Sequence, residues 1–293
     1  VAGAPDDTAG RVSRIAFAGG AFAAGWRHVP EETAVAISVN GSSHAVMMAT
    51  PADLADLALG LALNEGIVAR PEEIERLEIA TSEAGVDCRL WLNAERSGQY
   101  VARRRQMTGP VGCGLCGVES LELAKRALPR VGAPLRIAPQ DIVEAMEAMG
   151  REQALSHLTR AVHAAAFHAP GQGLAVARED VGRHNALDKV TGFLASNAID
   201  PAGGFLTITS RVSVELIQKA AMMGCSLIAA VSVPTALAIR EADTAGITLV
   251  AVVRGAEFEI FTHPQRIEGA ADAAAAIDAA AEPSAVEGAS HAA

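Results

Sequence analysis

Three short apolar runs, at residues 205–209, 227–231 and 248–253, alternate with two stretches of helical spacing at 212–223 and 235–245. A run that is apolar at successive positions must be buried on both faces, and a sheet sandwiched between helices provides that environment. The alternation predicts a mainly parallel sheet covered on both sides. The same domain begins upstream. Ala138-Pro139-Gln140-Asp141 opens a helix running to Met149, a second helix covers 152–158, strands cover 161–168 and 173–178, a helix covers 185–194, and a last strand covers 258–261.

Residues 33–106 read as a small α+β module. Residues 34–39 alternate and meet Asn40-Gly41, a hairpin turn signal, with 45–48 as the returning strand. Thr50 is expected to N-cap a helix through Asn64, with Pro51 at its first position and Asp53 and Asp56 in its early turns. Further strands are expected over 77–80, 88–93 and 100–104. The polar, Ala/Gly-rich start and the alanine-dominated end lack bulky apolar faces and read as disordered. The division is therefore a tail over 1–18, the α+β module over 19–112, a cysteine loop and connector over 113–138, the α/β domain over 139–268, and a tail over 269–293.

A formal net charge of −10 argues against a nucleic-acid backbone as the main partner, although Arg103-Arg104-Arg105 is a local basic patch. The longest apolar stretch, 227–239, is too short for a bilayer and holds Pro234. Four cysteines in 293 residues make no disulfide scaffold. A soluble, cytoplasmic protein is expected, with no membrane partner. Cys88 and Cys225 sit in apolar contexts and read as core residues.

In a parallel sheet, ligands bind beyond the C-terminal strand ends, where N–H groups at helix starts attract anions. Two adjacent junctions fit a phosphate or pyrophosphate: 207–211, with Ser210 and Arg211, and 231–235, with Ser232. Ordinary capping by Ser and Thr explains either one alone. Residues 178–189, Arg-Glu-Asp-Val-Gly-Arg-His-Asn-Ala-Leu-Asp-Lys, crowd charges, a histidine and an amide around one glycine and read as a wired polar site. His184 is a candidate proton carrier near neutral pH, or a histidine that bonds a carbonyl; Asn185 lies near the helix start.

Gly112-Cys113-Gly114-Leu115-Cys116-Gly117 places two thiols in a glycine-rich loop. Zinc would need more ligands, and neither a second cysteine pair nor the upstream His-x-Glu of zinc deaminases is present. A redox pair and a sulfur carrier both remain open. In the latter, a thiolate accepts sulfur as a persulfide and the second thiol receives or releases it by exchange.

Residues 178–189, Ser210 to Lys219, Pro234-Thr-Ala-Leu-Ala, Gly246-Ile-Thr-Leu and the cysteine loop together resemble the FdhD/NarQ family of formate dehydrogenase accessory sulfurtransferases, over about 31–261. Two departures stand out. Arg160 and Ala161 replace the glycines of the family's Thr-Gly-Gly-x-His segment, and Val252 stands where the family often has Phe. The resemblance implies an α/β fold, a cytidine-deaminase-like three-layer domain without its zinc site beside the α+β module, in a homodimer. It implies sulfur transfer from a cysteine desulfurase to the molybdenum bis(molybdopterin guanine dinucleotide) destined for the formate dehydrogenase catalytic subunit. Cys113 would carry the persulfide and Cys116 assist. Val252, Val253, Arg254, Gly255, Ala256, Glu257 and Phe258 would contact the cofactor, with Ser210, Arg211, Ser232, His184 and Asn185 at the strand ends; a guanine nucleotide can mimic it. A cofactor chaperone without sulfur transfer, and a thiol redox switch, are the alternatives.

Overall fold

The computed structural model describes residues 8–104, 128–132 and 134–273. Cys113 and Cys116 lie outside the described residues, as do 1–7 and 274–293 of the expected tails.

The first element corrects the expected N-terminal tail. β1 (Ala9–Ala18) pairs antiparallel with β2 (Ala21–Pro30) around Gly19 and Gly20, whose φ of 60° and 82° set a turn that glycine adopts freely. Arg11-Val12-Ser13-Arg14-Ile15 does not alternate apolar with polar residues, and its side chains remain exposed, so no core pattern marked it.

β3 (Thr33–Val39), β4 (Ser42–Ala49), β5 (Ile74–Ser82) and β6 (Gly85–Leu92) form a four-stranded sheet in the order β4-β3-β6-β5. Asn40 and Gly41 both take positive φ, as the hairpin signal required. α1 (Leu54–Asn64) covers one face: Val35, Ile37, Cys88 and Leu90 pack on Leu57, Ala58 and Leu61. Thr50 is not its N-cap. Asp53 holds that position with φ 53° and no side-chain bond, because the Thr50 hydroxyl already accepts the Val181 N–H at 3.1 Å.

The strand expected at 100–104 is instead part of α2 (Ala94–Arg104). Asn93 Oδ1 accepts the Arg96 N–H at 2.9 Å, a capping bond that starts the helix, and Arg96 donates to the carbonyls of Gly66 and Ile67 beyond α1. Tyr100 is buried and its hydroxyl lies 2.9 Å from His44 Nδ1. Glu65 Oε2 lies 3.0 Å from the other ring nitrogen.

The α/β domain runs through α3 (Pro139–Arg151), α4 (Ala154–Thr159), β7 (His163–Ala169), β8 (Gly173–Asp180), α5 (Arg183–Ser196), β9 (Phe205–Ile208), α6 (Val214–Met223), β10 (Leu227–Ala230), α7 (Ala236–Ala245), β11 (Thr248–Arg254) and β12 (Glu257–Thr262). Its six-stranded sheet has the order β12-β11-β10-β9-β7-β8. Only β9, β10 and β11 run parallel to one another; β7, β8 and β12 are antiparallel to their neighbours. The expectation of a mainly parallel sheet is thus corrected to a mixed one. The reason is the two hairpins at its ends, turning at Gly171 and Gly255, both at positive φ. The three layers hold as expected. Leu206, Ile208, Ile228, Leu249 and Ala251 face α5, α6 and α7, while Phe205, Leu227, Ala229 and Val250 face Ile142 and Ala145 of α3.

Cys88 and Cys225 are core residues, as read, and burial pushes each thiol up to about 12. Neither supplies thiolate at physiological pH. Arg160, in place of a glycine in the family segment, caps α4 with φ 58°. The position needs a left-handed backbone that glycine adopts without strain, so this chain carries a local cost there of about 1 kcal/mol.

Candidate functional site at the strand ends

Strand direction gathers the candidate residues at one edge. The C-terminal ends of β8, β9, β10 and β11 meet the starts of β7 and β12, so His163, 180–185, 208–213, 230–235 and 252–258 lie along a single rim.

The junction after β8 is divided in purpose. Arg178 binds Asp56 through Nη2 at 2.7 Å and Nε at 3.0 Å, and its guanidinium lies over the Phe193 ring. Glu179 accepts the N–H groups of Leu155 and Ser156 at the start of α4. Asp180 accepts from Thr50 N and Lys189, and Asp188 binds Lys219 and Asn64. Burial pushes the Asp188 carboxyl up, and Lys219 pulls against that rise. Most of the segment that read as a ligand site therefore bolts the α+β module to the α/β domain. Asn185 belongs to the bolt: both donors of its amide are spent, on the Met48 carbonyl and on Asp180, each at 2.9 Å.

Arg183 and His184 face the rim. Arg183 Nε is buried with no hydrogen-bond partner. His184 Nε2 stands 3.5 Å from Ser213 Oγ and 4.0 Å from Glu215, so it ties the start of α5 to the start of α6. Burial, with Arg183 and Lys219 nearby, pushes its pKa down to about 4. His184 is neutral near pH 7, which corrects its reading as a proton carrier there. His163 is lowered in the same way, by burial and then Arg183.

Ser210 is buried and its hydroxyl donates to the Arg211 carbonyl at 3.1 Å; the cap of α6 is Ser213 instead. Arg211 is exposed and Ser232 half-buried. Thr235 caps α7, accepting the Ala238 N–H. In the last hairpin, pairing is interrupted between Ala251 and Arg254, and Val252 takes φ 57°. A β-branched residue in that region is strained, a kind of outlier that clusters at binding sites. Val253 is buried and Phe258 packs on the same core, whereas Arg254, Gly255, Ala256 and Glu257 are exposed at the turn. Among the described residues, Arg183, Arg211 and Arg254 form no ion pair, although Glu215 lies near Arg183 and Glu257 opposes Arg254 across the last hairpin. Sequence reasoning missed Arg183, Ser213 and Glu215; Arg183 lay inside the segment singled out but carried no mark distinguishing it from its structural neighbours.

His168, buried at the opposite end of the sheet, and the half-buried His184 give the domain a pH signature. His168 stacks on Phe205, bonds Thr207 through Nε2, leaves Nδ1 unpartnered, and is pushed down to about 4 by burial. Both His168 and His184 have folded values below the unfolded value near 6.5. Between those values the unfolded chain binds more protons, so stability is full above about pH 6.5 and falls as pH drops toward 4. Denaturant titrations at pH 7.5 and 5 are expected to show a loss of about 2 kcal/mol or more at pH 5. His168→Gln is expected to flatten part of that slope.

A mixed α/β domain with helices on both faces, bolted to an α+β module and carrying arginines along its strand-end rim, is the class of protein this geometry defines. Comparison with known proteins narrows it: the chain belongs to the FdhD/NarQ family, whose model matches residues 30–268. A sulfur carrier protein FdhD from Agrobacterium fabrum is 51% identical over 258 residues, covering 88% of this chain and 95% of the relative. One from Brucella abortus is 49% identical over 242 residues, covering 82% and 90%. A crystal structure from Desulfotalea psychrophila, of a protein provisionally assigned as a formate dehydrogenase accessory protein, shares the fold. Its TM-score is 0.71 at 23% identity, covering 89% of this chain and 99% of that one.

Proposed function

We propose that this chain is a sulfur carrier that moves persulfide sulfur from a cysteine desulfurase to the molybdenum bis(molybdopterin guanine dinucleotide) of formate dehydrogenase. The observation that carries the reading is 51% identity to a sulfur carrier protein over 88% of this chain, together with strand-end arginines that form no ion pair among the described residues. A guanine dinucleotide presents pyrophosphates, which Arg183, Arg211 and Arg254 suit, and Ser232 and the 254–257 turn border them. A guanine nucleotide offers the same phosphates in simpler form. His184 and Asn185 act here as positioning residues for the start of α5. The cofactor is cargo, and the formate dehydrogenase catalytic subunit receives it.

Cys113 is the sulfur-bearing residue in this proposal. Its thiolate attacks the outer sulfur of the desulfurase persulfide; that S–S bond breaks, the desulfurase thiolate leaves, and a Cys113 persulfide forms. Cys116 thiolate then attacks the Cys113 sulfur, releasing hydrosulfide and leaving a Cys113–Cys116 disulfide that a dithiol reductant restores. The sheet order, with its three parallel central strands and antiparallel ends, supports a cytidine-deaminase-like α/β domain over 139–268. Among the described residues the chain begins with the β1–β2 hairpin, and the α+β sheet follows from Thr33. We place the protein in the cytoplasm as a homodimer; no helix among the described residues is long and apolar enough to cross a membrane.

Incubation with a desulfurase and cysteine is expected to add sulfur to Cys113, read by mass spectrometry of the intact chain and its peptides. Cys113→Ala should abolish the label and reduce formate dehydrogenase activity in a complemented strain to background. Full activity from a Cys113→Ala, Cys116→Ala chain would instead establish a cofactor chaperone. A reversible disulfide that controls nucleotide binding, without sulfur loading, would establish a redox switch.

A further inference from the structure

The β1–β2 hairpin stands apart from both sheets and keeps bulky side chains in solvent: Ile15 is 76% exposed, Phe22 77% and Trp26 59%. Residues 9–30 carry Arg11, Arg14 and Arg27 and no carboxylate, in a chain of net charge −10. β2 leans on the body, where Arg27 Nη2 donates to the Thr159 carbonyl. Among the described residues, no strand pairs with the outer edge of β1.

A second open edge lies elsewhere on the molecule. β5 closes one side of the four-stranded sheet, with Glu75 and Glu78 exposed and Ile79 39% exposed. Long open edges invite strand pairing, and charge decides which partner is accepted. β1 carries two arginines and no carboxylate, and β5 carries two exposed glutamates against one arginine, Arg76, whose guanidinium lies over the Trp91 ring, so β1 and β5 attract on balance.

We propose that the hairpin arm of one copy adds its β1 strand to the β5 edge of a second copy, and reciprocally, so that two arms clasp a two-fold dimer. The lengths agree, at ten and nine residues. So does the spacing: Arg11 and Arg14 are three apart, as are Glu78 and Glu75. An antiparallel register with Arg11 opposite Glu78 puts Val12 opposite Leu77 and brings Arg14 to Glu75, which lies at the irregularity between Ile74 and Arg76. Directly opposed residues share a face, so the Arg11–Glu78 pair and the apolar pair meet across the new edge, with Arg14 beside Glu75. The exchange is isologous and closes, which leaves no edge to propagate a fibre.

This inference specifies the contact of the homodimer proposed above and is independent of the sulfur chemistry. Sedimentation of the full chain tests it. The native chain is expected to be dimeric at micromolar concentration, with weaker association at high salt. Arg11→Glu with Arg14→Glu, and separately Glu75→Lys with Glu78→Lys, should each weaken the dimer roughly 30-fold or more. All four side chains are exposed, so the circular dichroism and thermal midpoint of each variant should match the native chain. Combining the four substitutions, or mixing the two variants, should restore association. Trp91→Phe leaves Trp26 as the sole tryptophan, and its emission should shift to the blue on association. Dimers unaffected by either charge reversal would overturn the arm while sparing the homodimer; a monomeric native chain would overturn both.

Discussion

Lys189→Met is expected to destabilise the protein by about 3–5 kcal/mol and to leave its core packing almost unchanged. Lys189 and Asp180 are both fully buried, with Nζ and Oδ2 2.6 Å apart. The ammonium also donates to the carbonyls of Thr50 and Glu179 at 3.2 and 3.3 Å. Asp180 accepts in addition from Thr50 N, Gly182 N and Asn185 Nδ2, so every lone pair of its carboxylate has a donor. Methionine fills similar space but leaves the carboxylate charged, buried and short of its cation. Desolvation then acts with nothing to offset it. For a chain of this size the loss corresponds to a fall in thermal midpoint of about 10 °C. Asp180→Leu combined with Lys189→Met should cost less than Lys189→Met alone, because both charges leave together. Urea titration of the native chain and the two variants decides it: a loss below about 1 kcal/mol for Lys189→Met would show that the pair is not the bolt between module and domain.

That bolt marks where the sequence was legible and where it was not. The runs at 205–209, 227–231 and 248–253 declared their strands because successive apolar residues admit burial on both faces. Asn40-Gly41 declared its hairpin because its two backbone conformations suit few other residues. The direction of β7, β8 and β12 was not readable from alternation, since a hairpin and a crossover can follow equally apolar strands. Residues 178–189 were correctly singled out as too polar for a plain loop, but polarity does not name its partner. Arg178, Asp180, Asp188 and Lys189 answer to Asp56, Thr50 and Asn64, more than 100 positions earlier. Arg183 and His184 stand outside the bolt, and burial with Arg183 and Lys219 nearby lowers the His184 pKa to about 4. β1 escaped notice because Ala9–Ala18 contributes little to either core, and core pattern is what periodicity detects.

Gly60→Ala and Gly192→Ala are each expected to cost about 2–3 kcal/mol, although the same change at an open helical position stabilises. α1 and α5 meet with backbone against backbone. A Cβ built on Gly60 would lie 1.8 Å from the Asp188 carbonyl oxygen, and one on Gly192 would lie 1.9 Å from that of Asp56. Neither obstacle is a side chain that can rotate away, so the helices must separate. Separation stretches the Asn64–Asp188 and Arg178–Asp56 bonds that span the same contact. Gly98, exposed within α2 with nothing within 4 Å of its added Cβ, is the internal control: Gly98→Ala should stabilise by about 0.5–1 kcal/mol through helix propensity alone. The double variant Gly60→Ala, Gly192→Ala should cost less than the sum of the singles, because helices already forced apart by one methyl have room for the second. Thermal and urea unfolding of the four variants read this directly. Additive losses would mean that the two glycines sit in independent contacts and that α1 and α5 do not share a single interface.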